Sequence, residues 1–304
     1  MPISQPPRER KPISYELHDV TVRNVRIRVV EAGRGNGPPL LLLHGFLATH
    51  AAFDDVVDEF AQDFHVIAPD LPGSGDSEKP SPARYVYGVD AFSETIADVV
   101  AAVAVGRVHV IGHSLGGAVG LTLAASHAEL VHRLVVVDPL TFAFPATFRA
   151  RLPLYPVVGP FVFKQLYGRA LFRGHFREDI FAPPPPDAPA STRGVPEERA
   201  PMNLDRVDEY YDKFNTPASR ESAYATLRSA LDTRTLVARL GRVRAPTLVV
   251  WGRDDKLFPV SFASRLVKEL ADARLEIMEA GHSPIEERPL TFYTVAKQFL
   301  EGKR

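Results

Sequence analysis

Residues Val108 to Gly120 read VHVIGHSLGGAVG, a branched apolar run followed by small residues, with Ser114 set inside Gly112-His113-Ser114-Leu115-Gly116. A strand entering a helix through such a tight turn projects a hydroxyl over the sheet edge, and the flanking glycines let the two elements approach closely. A serine hydroxyl is a weak nucleophile until a base takes its proton. Among the 10 histidines, His282 lies in the glycine-led turn GHSPIEERP directly after LEIMEA, where an imidazole can reach the same edge. The others read as structural: His109 inside a strand, His65, His127 and His132 at element ends, His44 fastening its own loop, and His113 beside the serine but directed elsewhere. His175 is placed to face the site from the middle of the chain.

A base of this kind needs a carboxylate to fix its tautomer and stabilise the imidazolium. WGRDDKLFP offers Asp254 and Asp255, and RLVVVDP offers Asp138 at another strand end. The turn after the strand VVW favours Asp255, leaving Asp254 exposed or bonded to the turn. Serine attack on a carbonyl, with His282 as base and Asp255 behind it, is the chemistry these residue types could perform.

The elements that must position them alternate along the chain. VRIRVVEAG has the in-and-out pattern of a half-exposed strand, whereas LLLLHG, FHVIAPD, VHVIGHS, RLVVVDP, PTLVVWG and RLEIMEAG are continuous apolar runs, as strands buried on both faces should be. Between them AAFDDVVDEFAQ, VDAFSETIADVVAAVA, GGAVGLTLAASHAE, SFASRLVKELAD and TFYTVAKQFLEG have helical spacing. This predicts an α/β domain with a mostly parallel central sheet flanked by helices.

From Pro139 to about Leu236 no strand-like run occurs, and residues 139–236 are expected to form an inserted helical cap, with 1–138 and 237–304 as the core. NLDRVDEYYDKFN and SRESAYATLRSALD fit helices, FRARLPLYPVVGPFVFKQLYG is broken by Pro153, Pro156 and Pro160, and Pro183 to Pro186 read as a stiff exposed loop. The cap is rich in apolar residues: Phe142, Phe144, Phe148, Leu152, Leu154, Tyr155, Phe161, Phe163, Leu166 and Tyr167. A subset of them is expected to line an apolar acyl or alcohol pocket.

Composition narrows the partners. The 304 residues, 45% hydrophobic, are enough for one large core. Lys and Arg number 36 against 37 Asp and Glu, with no basic stripe, so nucleic acid is not expected. The absence of cysteine removes disulfides, thiolate metal sites and a cysteine nucleophile. A polar, proline-broken start and the lack of any long apolar run predict a cytoplasmic protein without a membrane span. Oligomeric state leaves no mark in the sequence.

In their order along the chain the motifs resemble the α/β-hydrolase superfamily, in its cap-bearing branch of esterases, carbon–carbon hydrolases and epoxide hydrolases. The resemblance spans His44-Gly45-Phe46-Leu47, Asp70-Leu-Pro-Gly73-Ser-Gly75-Asp-Ser77, the serine turn, Trp251-Gly252-Arg-Asp-Asp255-Lys-Leu-Phe-Pro259 and Gly281-His282-Ser-Pro284-Ile-Glu-Glu-Arg-Pro289. It implies that the backbone N–H groups of Phe46 and Leu115 form an oxyanion hole. Similar epoxide hydrolases carry aspartate at the elbow, so Ser114 implies an acyl-enzyme, with no metal or organic cofactor. The expected substrate is a small apolar carboxylic ester, of aromatic or short-to-medium acyl type. Carbon–carbon hydrolysis of a vinylogous diketone, with Arg169, Arg173 or Arg177 holding a substrate carboxylate, is the alternative; a ligand receptor on the same fold is another.

Overall fold

The computed structural model describes residues 11–103, 106–142, 155, 158–182, 199–230 and 232–303. Eight strands form one sheet in the order β1-β2-β4-β3-β5-β6-β7-β8. β1 (Tyr15–Val22) and β2 (Val25–Ala32) make a hairpin, and β2 runs antiparallel to β4 (His65–Pro69). From β4 onward every pairing is parallel, through β3 (Pro39–Leu43), β5 (Val108–His113), β6 (Val131–Val137), β7 (Thr247–Gly252) and β8 (Ala273–Met278).

The apolar runs explain this sheet residue by residue. Successive side chains point to opposite faces. Leu41, Leu43, Val110, Leu134, Val136 and Val249 enter one core, while Leu40, Leu42, Ile111, Val135, Val137, Leu248 and Val250 enter the other. Helices α1 (Asp54–Ala61) and α11 (Pro289–Leu300) cover the second face; α2 (Val89–Ala102), α3 (Leu115–Ser126) and α9 (Ser261–Glu269) cover the first. A short helix, α10 (Pro284–Glu287), precedes α11.

Three local expectations need correction. β1 was not anticipated: its side chains alternate between exposed and partly buried, so its apolar signal is weak, and its turn depends on Arg23 and Asn24 at φ 52° and 58°. Positive φ at both turn residues matches the right-handed twist of a two-residue hairpin. β2 is more buried than the half-exposed pattern suggested, because it feeds both cores, Val25, Ile27 and Val29 entering one and Val30 and Ala32 the other. β8 is partly exposed rather than doubly buried, since only β7 pairs with it at the sheet edge.

Between β6 and β7 the described residues contain no strand. They comprise α4 (Val158–Phe161) running into a π-helical turn (Val162–Leu166), α5 (Arg169–His175) with a second such turn (Phe176–Ile180), α6 (Leu204–Phe214), α7 (Pro217–Ala230) and α8 (Arg234–Arg239). The helix over RALFRGH was not anticipated. Phe144, Phe148, Leu152, Leu154 and Pro183 to Pro186 lie outside the described residues. Phe163 stacks on Tyr167 at 5.4 Å inside an aromatic cluster with Phe172 and Phe214, while Phe161 and Leu166 are exposed. Among the described residues no helix is long and apolar enough to cross a membrane.

Helix α3 can lie directly on the sheet only because Gly116 has no side chain: a Cβ there would sit 2.1 Å from the Leu43 carbonyl oxygen. Gly116→Ala is therefore expected to lose about 1–3 kcal/mol or more through overpacking. Gly174→Ala, where nothing lies within 4 Å, is expected to gain roughly 0.5–1 kcal/mol from helix propensity. Urea denaturation of the two variants beside the parent checks the contrast, and equal midpoints would contradict it.

Candidate active site

Ser114 occupies the junction of β5 and α3 at φ 51°, ψ −113°, a positive-φ conformation outside even the left-handed helical well, which a residue with a Cβ rarely adopts. Its surroundings enforce it. The Ser114 N–H donates to the Val137 carbonyl at 2.9 Å, and the Ser114 carbonyl accepts from Leu140 N at 3.0 Å and Ala118 N at 3.1 Å. The bend leaves the hydroxyl at the C-terminal edge of the sheet.

His282 reaches it from the loop after β8. Its Nε2 lies 2.9 Å from Ser114 Oγ, and its Nδ1 lies 2.8 Å from Asp255 Oδ2, in the loop after β7. The acceptor character of Asp255 assigns the tautomer: Nδ1–H donates to the carboxylate, leaving Nε2 to accept the Ser114 hydroxyl proton. Asp255 Oδ1 accepts from the N–H groups of Leu257 at 2.7 Å and Phe258 at 2.9 Å. Burial raises the Asp255 carboxyl, but the His282 charge and hydrogen bond, aided by bonds from Asp138 and Phe258, hold it below its ordinary range. The Phe258 ring closes on the imidazole edge-on at 5.0 Å. The loops after β7 and β8 touch at Gly252, where a Cβ would fall 1.7 Å from the Gly281 carbonyl oxygen.

The structure brings Ser114, His282 and Asp255, three of the residues singled out in the sequence, into one hydrogen-bonded chain. Asp254 stands apart, half exposed and accepting from Arg199 at 2.9 Å. Asp138 is buried behind Asp255, close to the chain but bonded through Oδ1 to the Gly252 N–H at 2.9 Å. His44 does fasten its loop: Nδ1–H donates to the Gly45 carbonyl at 2.8 Å and Nε2 accepts from Leu71 N at 2.9 Å. That brings Gly45 against the serine, such that a Cβ on Gly45 would lie 3.3 Å from Ser114 Cβ. Phe46 follows, and Leu47 turns the chain at φ 60°. Leu115 opens α3, where an N–H has no intrahelical acceptor. Neither Phe46 nor Leu115 donates its N–H to a backbone carbonyl among the described residues. A shallow, open cleft runs from Phe46 and Leu47 past Thr49 and Ser74 to Tyr210, Lys213 and Phe214.

His175 pairs with Asp179 in its own helical turn rather than with the serine. Arg169 pairs with Asp208 and Asp212, Arg173 with Asp208, and Arg177 is exposed.

Two contributors were missed. His113 sends its Nε2–H to the carbonyl of His282 at 2.7 Å, and burial pushes its imidazole down to about 3, so it stays neutral and rigidly placed. Its position inside the serine turn was the available signal. Glu287, in PIEERP, accepts from Gly281 N at 2.7 Å and Ala182 N at 3.2 Å, while His282 N donates to Ile180 O at 2.7 Å. The loop carrying His282 is thus pinned to the end of the helical segment.

The sequence pattern of the alpha/beta hydrolase fold matches residues 38–289, and the chain belongs to that family. It is similar to an uncharacterized protein of Mycobacterium tuberculosis, 29% identical over 96% of this chain and 86% of that one. It is 28% identical to a pimeloyl-[acyl-carrier protein] methyl ester esterase of Aeromonas hydrophila, over 88% of this chain and 96% of the relative. Among solved structures, that of a membrane phospholipase A described as a bacterial virulence factor superposes with a TM-score of 0.74 at 27% identity, covering 95% and 86% of the two chains.

Burial pushes the Glu287 carboxyl up to about 7, against the opposing pull of Ala182, Arg199 and Gly281. A carboxyl raised in the fold contributes stability that is complete below its unfolded value near 4.5 and lost as pH rises through about 7. Thermal midpoints of the parent should therefore fall relative to those of Glu287→Gln across that window. Parallel curves from pH 4.5 to above 7 would contradict the assignment.

Proposed function

We propose that the chain is a serine hydrolase that cleaves carboxylic esters of apolar, short-to-medium acyl or aromatic type through an acyl-enzyme. The observation that carries the reading is the hydrogen-bonded sequence Ser114 Oγ, His282 Nε2, His282 Nδ1, Asp255 Oδ2, at 2.9 and 2.8 Å. Esterase and lipase relatives support it at the level of the family.

Ser114 Oγ attacks the ester carbonyl as His282 Nε2 takes its proton; Asp255 stabilises the imidazolium without accepting a proton itself. The Phe46 and Leu115 N–H groups receive the oxyanion as the carbonyl becomes tetrahedral. Collapse expels the alcohol, which leaves with the proton from His282. Water then attacks the acyl-enzyme, His282 takes its proton, and the acid is released with Ser114 restored.

We assign 139–236 to a cap over this edge and 1–138 with 237–304 to the core. The anchoring of Ile180 and Ala182 to the His282 loop supports the cap assignment, and Phe46, Leu47, Tyr210 and Phe214 in the cleft, set among Thr49, Lys213 and Thr226, support an ester with an apolar portion. Arg169 and Arg173 are already engaged with acidic residues, so no observation favours a carboxylate clamp for carbon–carbon hydrolysis.

Turnover of p-nitrophenyl esters is expected to peak at short or medium acyl length, with a dienoate ketone cleaved slowly or not at all; the reverse preference would overturn the substrate class. Ser114→Ala should lose on the order of 10⁴-fold or more in kcat and should no longer be labelled by a fluorophosphonate. Asp255→Asn should fall by roughly 10³- to 10⁴-fold while Asp254→Asn remains near the parent. A folded Ser114→Ala enzyme with near-parental turnover would remove the nucleophile assignment.

A further inference from the structure

Asp138, directly after β6, is a carboxyl to which the mechanism gives no task. It is wholly buried, and its backbone is held at φ 44° by donation of its N–H to the Val250 carbonyl at 3.0 Å. Oδ1 accepts the Gly252 N–H at 2.9 Å, which clamps the side chain across the β6–β7 edge. Oδ2 meets no N–H or O–H donor among the described residues. A buried oxygen bearing charge without a donor is costly, and such a group shifts its ionisation instead.

What Asp138 faces is a second carboxyl. One side-chain atom from each of Asp138, Asp255 and His282 lies within 4.8 Å of the others. Asp255 already has two backbone donors on Oδ1 and the imidazole N–H on Oδ2, so it is the member equipped to carry charge. Asp138 has a single backbone donor, and the next charged group acting on it is Glu287, another acid. Neutral His113 lies beyond His282.

We propose that Asp138 is a neutral carboxylic acid that donates its proton in a hydrogen bond to the Asp255 carboxylate, and so acts as a positioning residue for the acid that orients His282. The inference rests on the Ser114, His282 and Asp255 reading above. Burial, then the charge of Asp255, drives the Asp138 carboxyl well above its ordinary range, while the bond it donates helps to hold Asp255 low. The pair carries one negative charge, and Asp138 keeps its proton through the catalytic cycle. The hydrogen bond adds a further restraint on the Asp255 side chain and gives the otherwise unpartnered Asp138 Oδ2 an acceptor for its proton.

The test compares two substitutions. Asp138→Ala removes the donor and should lower kcat by roughly 10- to 100-fold with little change in KM, by analogy with the loss when the outer partner of a metal-ligating residue is removed. Asp138→Asn should rescue it, because the amide oxygen can accept from Gly252, the NH₂ group can donate to Asp255, and the charge is that of a protonated acid. The pH-rate profile should then overlay the parent's. The histidine NMR titration of His282 should likewise be the same in parent and Asp138→Asn. If Asp138 is ionised, neutralising it should shift that titration down by about one unit or more, and Asp138→Asn rather than Asp255→Asn should collapse kcat; either result overturns the proposal. Should Asp138→Asn fail to fold, infrared spectra of the parent with ¹³C-labelled aspartate must show a protonated carboxyl at neutral pH, and its absence overturns the proposal equally. A fully active Ser114→Ala would defeat the hydrolase reading while leaving the NMR and infrared results informative, so the two failures are distinct.

Discussion

The backbone of Ser114 is the constraint on which the site depends. A non-glycine residue at φ 51° costs roughly 1–3 kcal/mol and persists only where its surroundings over-determine it. Here the β6 end supplies an acceptor and a donor, Val137 and Leu140, and α3 begins at once. The sharp bend requires β5 and α3 to approach so closely that a Cβ on Gly112 would strike the Gly116 carbonyl at 2.4 Å. A relaxed turn would carry the hydroxyl away from His282, so the close packing of strand and helix is also the positioning of the serine.

Dryness is the second consequence. Ser114, His282 and the Asp255 side chain are almost wholly enclosed, and every polar group around them needs a protein partner. His44 and His113, both kept neutral by burial, bond to backbone groups of the loops that carry Phe46 and His282. The enclosure extends into the helical segment. Arg206 of α6 forks onto Asp55 of α1 and approaches Glu286, whose other oxygen accepts from Ser283, the residue after His282. The His282 loop is consequently held from two sides, by core and by helical segment.

How far the sequence was legible follows from the range of each interaction. Buried parallel strands need continuous apolar runs, and the glycine-bounded serine announces its own turn, so most of the sheet and Ser114 could be read locally. His282 and Asp255 could be read because each follows a strand that must end at the same edge. β1 could not: as an edge strand it turns only a partly buried face inward, through Val20 and Val22, too few apolar positions to stand out. The helix at Arg169–His175 was hidden because its one buried side chain, Phe172, meets Tyr211 and Phe214, more than thirty positions away. His113 and Glu287 were missed for the same reason, since the groups they bind are set by the fold rather than by neighbouring residues.

Asp138 could be found by type but not by state. Sequence reading weighed it as a rival to Asp255, a choice between two strand ends. In the folded chain both carboxyls occupy one dry pocket. Two unit charges about 4–5 Å apart repel by about 3–4 kcal/mol at an effective dielectric of 20, before the cost of removing both from water. Donors decide which one ionises: three reach Asp255 and one reaches Asp138. An acid at the β6 end and an acid at the β7 end therefore need not compete for the same role. The one with donors holds the charge facing the imidazole, and its neighbour, deprived of them, is left to hold the proton.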